Sequence, residues 1–421
     1  MIQEQAVLEA LAGLENEALA FLRRLVATPS ITGNEERAQL VMADQMRRMG
    51  LDVESWVPQG KDLEGHPGFS MVSLGPPRPV VVGRVKGSPG GPSLALNGHI
   101  DVVPEGNRSS WEEDPWSGLY RDGRVFGRGA CDMKGGLTAA LFAVAGLLRA
   151  GVRPRGDVLV QSVTGEEDGG IGTLACISRG LAGDAAVVME PTRLAVCPAQ
   201  GGALTFRLIV KGKAAHACVR DEGVSAVEMF FHILQAVRAY EARRNVELCH
   251  PLYVNSTNKV PIEFGTVRSG DWNSTVPDEL VAEGRAGVFP GENAGKARQD
   301  FERMLDGTVA QHPWLRENPP RVEWLGGQWE PAETPADHTL VSQLKGAFET
   351  VMGRRPIIEG VTYGSDMRLF TNYAGIPAVL FGPGDVRLAH FANESVPFSE
   401  VMAVARTLAV TLVRWGGEQS S

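Results

Sequence analysis

Paired cysteines are missing from this 421-residue chain. Its five cysteines (131, 176, 197, 218 and 249) are odd in number and scattered, and no CxxC occurs. Neither a disulfide framework nor a thiolate zinc site is expected, and a reducing, cytoplasmic compartment is. Basic charge is not in excess either: 41 Lys+Arg against 50 Asp+Glu leave a formal charge of −9. A nucleic-acid or anionic-membrane partner is therefore not expected. The most apolar long segment, Leu137 to Leu148, falls short of the roughly 20 residues a membrane span needs. The N-terminal stretch has no basic segment followed by an apolar one, so it reads as a helix of the mature fold. Repeats and low-complexity runs are absent. Gly127-Arg128-Gly129 and Gly170-Ile171-Gly172 are only fragments of a dinucleotide fingerprint, so no such cofactor is expected.

What is present is an ordinary globular composition, 43% hydrophobic and 22% charged. The length exceeds what a single core usually supports, which implies two domains. The first half alternates helical and strand patterns. Helices are expected at Glu15 to Val26, Asn34 to Met49, Met133 to Ala150 and Gly172 to Gly180. Strands are expected at Val80 to Lys86, Ser93 to Asn97, Val158 to Val163 and Ala185 to Met189. That order predicts an α/β domain with a mainly parallel central sheet flanked by helices. From Gln200 the pattern changes to alternating strands and helices, which predicts an inserted, smaller α+β domain over 201–330. Residues 1–200 and 331–421 then form the other domain, with Gly326 to Pro335 as a return crossing and Ala378 to Phe381 rejoining the first sheet.

Several apolar strands run into polar residues of one chemical type. Ser93 to Asn97 leads to His99 and Asp101, Val158 to Val163 to Glu166 and Glu167, Ala185 to Met189 to Glu190, and Ala378 to Phe381 toward His390. Asp132 falls where a glycine loop meets a helix. In parallel sheets, sites form beyond the carboxyl ends of strands, and these residues fall there together. Each alone has a plainer reading: a packed histidine, a helix cap, a solvated turn. Jointly, two histidines with three carboxylates and no cysteine suit Zn²⁺ or a similar divalent ion. Three carboxylates in one crevice need cations, and two divalent ions with a bridging hydroxide balance them.

The strings GHIDVVP, GRGACDMKGG, TGEEDGG, MEPT, KAAHA, YGSD and HFANE together resemble the M20 family of metallopeptidases and deacylases. The acetylornithine deacetylase and succinyl-diaminopimelate desuccinylase branch is the most similar. The resemblance implies two Zn²⁺ (Co²⁺ or Mn²⁺ as substitutes). His99, Asp132 and Glu190 would hold one, Asp132 would bridge, and Glu167 and His390 would complete the second. Asp101 would accept the other ring proton of His99 and so orient it. Glu166 would be the general base for the metal-activated water. A cis peptide is implied after Asp132. His216, in the inserted domain, would reach the site of a partner subunit and stabilise the oxyanion, which implies a homodimer. Asn273 would lie near the substrate.

The chain departs from the family pattern at Gly287, where relatives often carry an arginine for the substrate carboxylate. Arg285, two residues earlier on the same strand face, and Arg368 are the alternative anchors. Gly364-Ser365 stands where relatives often have Gly-Thr, which keeps the hydroxyl. Trp111 and Trp116 read as walling the crevice or packing a loop, and Cys131 as a small buried residue. The expected function is a dinuclear zinc amidohydrolase that removes an N-acyl group from a small amino-acid-like substrate, acetylornithine deacetylase-like. A dipeptidase or carboxypeptidase of the same family is the alternative, and a non-catalytic metal-stabilised binding protein is the reading from another class.

Overall fold

A computed structural model describes residues 2–70 and 78–417, and the chain forms two compact units. One comprises Met1–Ala199, Glu333–Glu359 and Ser365–Ser421, and the other Gln200–Ala332 and Gly360–Gly364. The second unit thus takes in 360–364, including Gly364, which the sequence reading placed with the first.

In the first unit the strands lie in the order Asp52–Trp56, Val80–Val85, Val158–Val163, Leu94–His99, Ala186–Val188, Ala378–Leu380 and Val196–Gln200. The four from Val158–Val163 to Ala378–Leu380 are mutually parallel, and the flanking pairings are antiparallel. Every residue of those four strands is buried. This explains why they read as apolar runs rather than alternating patterns: both faces of the sheet are covered.

The helix Gly135–Arg149 is buried from Gly135 to Leu147 and lies against the N-terminal helix Ile2–Ala12 and the C-terminal helix Phe398–Arg414. With the turn before it, Ala130–Arg149 has the length and hydropathy of a membrane span, more than the sequence reading allowed. Its apolar circumference is that of a helix enclosed in a core. The helix Phe398–Arg414 is not among the expected elements; twelve of its residues are buried, almost without a break from Val401 to Leu412. The edge strand Asp52–Trp56 was also missed, because its residues are mostly exposed and carry little apolar pattern.

The second unit is a four-stranded antiparallel sheet in the order Ile262–Ser269, Glu279–Val288, Gly202–Lys211 and Arg321–Trp329. The helices Ala226–Glu247 and Ala294–Gln311 supply Phe230, Ile233, Phe301 and Leu305 to its core, against Phe206 and Leu208 of the sheet. The expected crossing at Gly326 is instead strand: Arg321–Trp329 continues through it, with an irregularity in register between Trp324 and Gln328.

Candidate active site

The crevice at the carboxyl ends of the parallel strands is built from short sharp turns. His99 is the last residue of a buried strand and is itself 2% exposed. Its Nδ1 lies 2.8 Å from the main-chain carbonyl of Asp101 and 3.8 Å from the Asp101 carboxylate. The orienting acceptor is therefore the carbonyl, not the side chain the sequence reading assigned. A proton on Nδ1 leaves the Nε2 lone pair facing the crevice. The Asp101 carboxylate instead accepts the main-chain N–H groups of Glu166 and Glu167, each at 3.2 Å, and the Thr32 hydroxyl at 3.2 Å. It holds the turn that carries the two glutamates.

Asp132 sits in a tight turn, Ala130–Lys134, and the Asp132–Met133 peptide is cis. Its two carboxylate oxygens divide between the two histidines: Oδ1 is 3.0 Å from His99 Nε2 and Oδ2 is 3.6 Å from His390 Nε2. Glu190 Oε1 lies 3.9 Å from His99 Nε2, and Glu167 Oε1 lies 3.1 Å from His390 Nε2. Ligand atoms of His99, Asp132 and Glu167 lie within 4.8 Å of one another, as do those of His99, Glu166 and Glu190. All six side chains come from one unit, so the structure brings His99, Asp132, Glu166, Glu167, Glu190 and His390 together.

The electrostatics of this cluster call for cations. Burial pushes the Glu166 carboxyl well above the ordinary range; His99 opposes the rise, while Glu190, Asp366 and Glu167 add to it. Burial does the same to Glu190, with Asp132 adding to the rise. Burial disfavours a charged His99, yet the hydrogen bond to Asp132 and the charge of Glu190 override it and raise its pKa well above the usual value. His390 is likewise raised to about 9: burial lowers it, and the bond to Glu167 and the nearby acids more than compensate. Crowded carboxylates stay ionised only beside positive charge. Two imidazole and three carboxylate donors, with no thiolate, fit divalent zinc-like ions, and the divided Asp132 carboxylate fits a bridge between two.

Other expected site residues are placed differently. Arg368 is 1% exposed, and its Nη2 donates to the main-chain carbonyls of Gly68 and Gly169 at 3.1 and 3.0 Å. Engaged with backbone in the interior, it braces the loop after Glu166-Glu167 and is not a carboxylate anchor. Ser365 is buried, and its hydroxyl accepts the Met367 N–H. Gly364 is in the second unit, where a Cβ would meet the Trp329 side chain at 2.4 Å. That close approach accounts for the glycine.

His216, Asn273 and Arg285 also belong to the second unit. His216 is exposed, its segment bridged to Thr275, so the His216 and Asn273 turns run side by side. Asn273 accepts a hydrogen bond from the Ser274 hydroxyl. Arg285 is half-buried, and its Nε and Nη2 have no hydrogen-bond partner among the described residues. At Gly287 a Cβ would come within 2.8 Å of the Val260 backbone, so this chain has no room for a side chain there. Trp111 and Trp116 stack on Arg128 and Lys134, and Cys131 is buried with its thiol 3.4 Å from the Asp385 carbonyl.

Sequence reasoning missed three buried groups. Glu394, the last residue of the string HFANE, accepts the Asp132 N–H and so binds that turn. Asp366 accepts the Thr173 hydroxyl at 2.6 Å, and Arg78 pairs with Asp168 at 2.7 Å. Only burial, which a sequence does not display, separates these from surface polar residues.

Fold and site together define a metallohydrolase-type centre on a parallel α/β sheet. The chain belongs to peptidase family M20/M25/M40, whose model matches residues 95–414. It is 29% identical over 405 residues to the N-formyl-4-amino-5-aminomethyl-2-methylpyrimidine deformylase of Bacillus subtilis (strain 168), covering 91% of this chain and 90% of that protein. It is 28% identical over 421 residues to the succinyl-diaminopimelate desuccinylase of Gluconacetobacter diazotrophicus, covering 97% and 99%. In fold it is similar to the dipeptidase Dug1p of Saccharomyces cerevisiae, with a TM-score of 0.79 at 14% identity and 99% of each chain covered. The chain is a hydrolase of amide C–N bonds.

Proposed function

We propose that this hydrolase removes a small acyl group from the nitrogen of an amino-acid-like or aminomethyl compound, with acetylornithine-like substrates as the first candidates. The carrying observation is the divided Asp132 carboxylate, one oxygen toward His99 and the other toward His390, with Glu166 buried beside the set. Two Zn²⁺, with Co²⁺ or Mn²⁺ as substitutes, would be held by His99, Asp132 and Glu190 on one side and by Asp132, Glu167 and His390 on the other. Bound there, they would acidify a water and polarise the scissile carbonyl.

The residues of the chain supply the remaining chemistry. Glu166, on a turn fixed by Asp101 and Arg368, takes a proton from the attacking water. It passes the proton to the leaving nitrogen, which must be protonated to depart. His216 donates to the carbonyl oxygen as negative charge develops, from the second unit of a paired copy in a homodimer. Asn273 and Arg285 contact the substrate, Arg285 through the Nε and Nη2 that have no hydrogen-bond partner among the described residues. Deacylation is favoured over peptide cleavage by the two relatives at 28–29% identity, a deformylase and a desuccinylase. The scattered free cysteines favour the cytoplasm.

The test is turnover of N-formyl, N-acetyl and N-succinyl amines beside dipeptides, by wild type and by E166Q. Wild type is expected to favour one acyl series, with E166Q slower by about a hundredfold or more. Chelation should abolish turnover and zinc restore it. Unchanged turnover in E166Q, or activity that survives complete metal removal, would sink the mechanism. Preference for dipeptides would replace deacylation with peptide cleavage.

A further inference from the structure

Glu394 is 1% exposed, yet none of its ionic character is wasted. One oxygen accepts the main-chain N–H groups of Cys131 and Asp132 at 2.9 and 3.0 Å. The other accepts the Gly129 N–H at 3.0 Å and the Arg128 guanidinium at 2.6 Å. Its own main-chain carbonyl accepts the Gly127 N–H at 2.9 Å. Arg128, itself 2% exposed, also donates to the carbonyls of Phe391 and Pro104, each at 3.3 Å. The segment 390–394 is therefore sewn to the Asp132 turn by charge-assisted bonds, the strong class in a buried setting.

The two histidines differ in how much they need this. His99 ends a fully buried strand, which fixes it through the sheet ladder. His390 is 53% exposed and has φ +60°, and Asn393 in the same segment has φ +62°. No regular element immobilises His390. Its position is transmitted through the short stretch to Glu394.

We infer that the buried Arg128–Glu394 pair is a positioning device that holds His390 and Asp132 in common register, so that its loss empties the Glu167–His390 side before the His99–Glu190 side. This rests on the two-cation reading above. Neither residue touches the reacting atoms, so both are positioning residues, acting as partners behind ligands do.

The experiment is titration of the metal-free 421-residue chain with Co²⁺, followed by visible absorption and a competing chelator, for wild type, E394Q and R128M. Wild type should take up two equivalents with distinct spectra. In both variants the first equivalent should stay within about threefold of wild-type affinity while the second weakens at least about tenfold. R128K, which keeps a point charge, should recover part of the loss. If E394Q does not fold, R128M and R128K carry the comparison. Variants that bind both equivalents like wild type, or lose both in parallel with a drop in Tm, would overturn the inference. A wild type that binds fewer than two equivalents would overturn the two-cation reading itself.

Discussion

Glu35 shows what burial does to a single side chain. It is fully buried at the start of the helix Glu36–Arg48, and one carboxyl oxygen accepts the Gly33 N–H at 3.0 Å. Desolvation, with the negative Asp101 nearby, raises its pKa to about 7 from 4.5. Because the folded value lies above the unfolded one, the fold binds this proton more tightly. Its contribution is fully present below about pH 4.5 and is lost as the pH rises through 7. E35Q keeps the acceptor for Gly33 and removes the titration. Denaturant unfolding should find E35Q close to wild type at pH 5 and more stable at pH 8, by up to about 3 kcal/mol at roughly 1.4 kcal/mol per unit. Parallel pH curves for the two proteins would refute this. The residue scale is also where the sequence misled on Asp101 and Arg368. Both have the chemistry their expected roles require, but the structure turns the Asp101 carboxylate toward the glutamate turn and encloses Arg368 among backbone carbonyls.

Between elements, the site depends on how closely the helix Gly135–Arg149 approaches the strand that delivers Glu190. A Cβ at Gly136 would lie 2.3 Å from the Met189 carbonyl oxygen, and one at Gly382 would lie 2.4 Å from the Glu190 carbonyl oxygen. Glycines on both sides let helix and loop close on the main chain of a metal-site residue. G136A must push the helix off the strand, at a cost of about 1–3 kcal/mol typical of overpacking. Gly307, in the helix Ala294–Gln311, is the internal control: a Cβ there meets nothing within 4 Å. G307A should stabilise by up to about 1 kcal/mol through helix propensity. Thermal unfolding should therefore shift down for G136A and up for G307A. Shifts of the same sign would break the argument from close approach. The sequence displays both as glycines inside apolar or helical stretches and does not distinguish them.

At the scale of the whole molecule, the second unit has its own aromatic core around Phe206 and Phe301 and carries His216 and Arg285. The proposed pairing of two copies makes a quantitative prediction. If His216 serves the partner's site, a mixture of E166Q and H216A copies regains activity that neither has alone. Random pairing gives about a quarter of the wild-type rate per protomer, because half the dimers carry one complete site. No gain after subunit exchange, or a monomer by light scattering at full activity, would exclude a shared site.

The sequence by itself determined which candidate donors the chain carries and their order along it. The strands that lead into His99, Glu166-Glu167 and Glu190 read as apolar runs because both faces of a parallel sheet are buried, and that pattern is local. It likewise determined that the chain changes architecture near Gln200. The tertiary structure alone decided which polar residues are isolated from water, and therefore which ones pair, brace or titrate. Glu394 grips a turn 262 residues away, and Arg368 a loop 199 residues away. Contacts at such separations leave no periodicity in the chain, since they depend on which loops the sheet order brings to one edge.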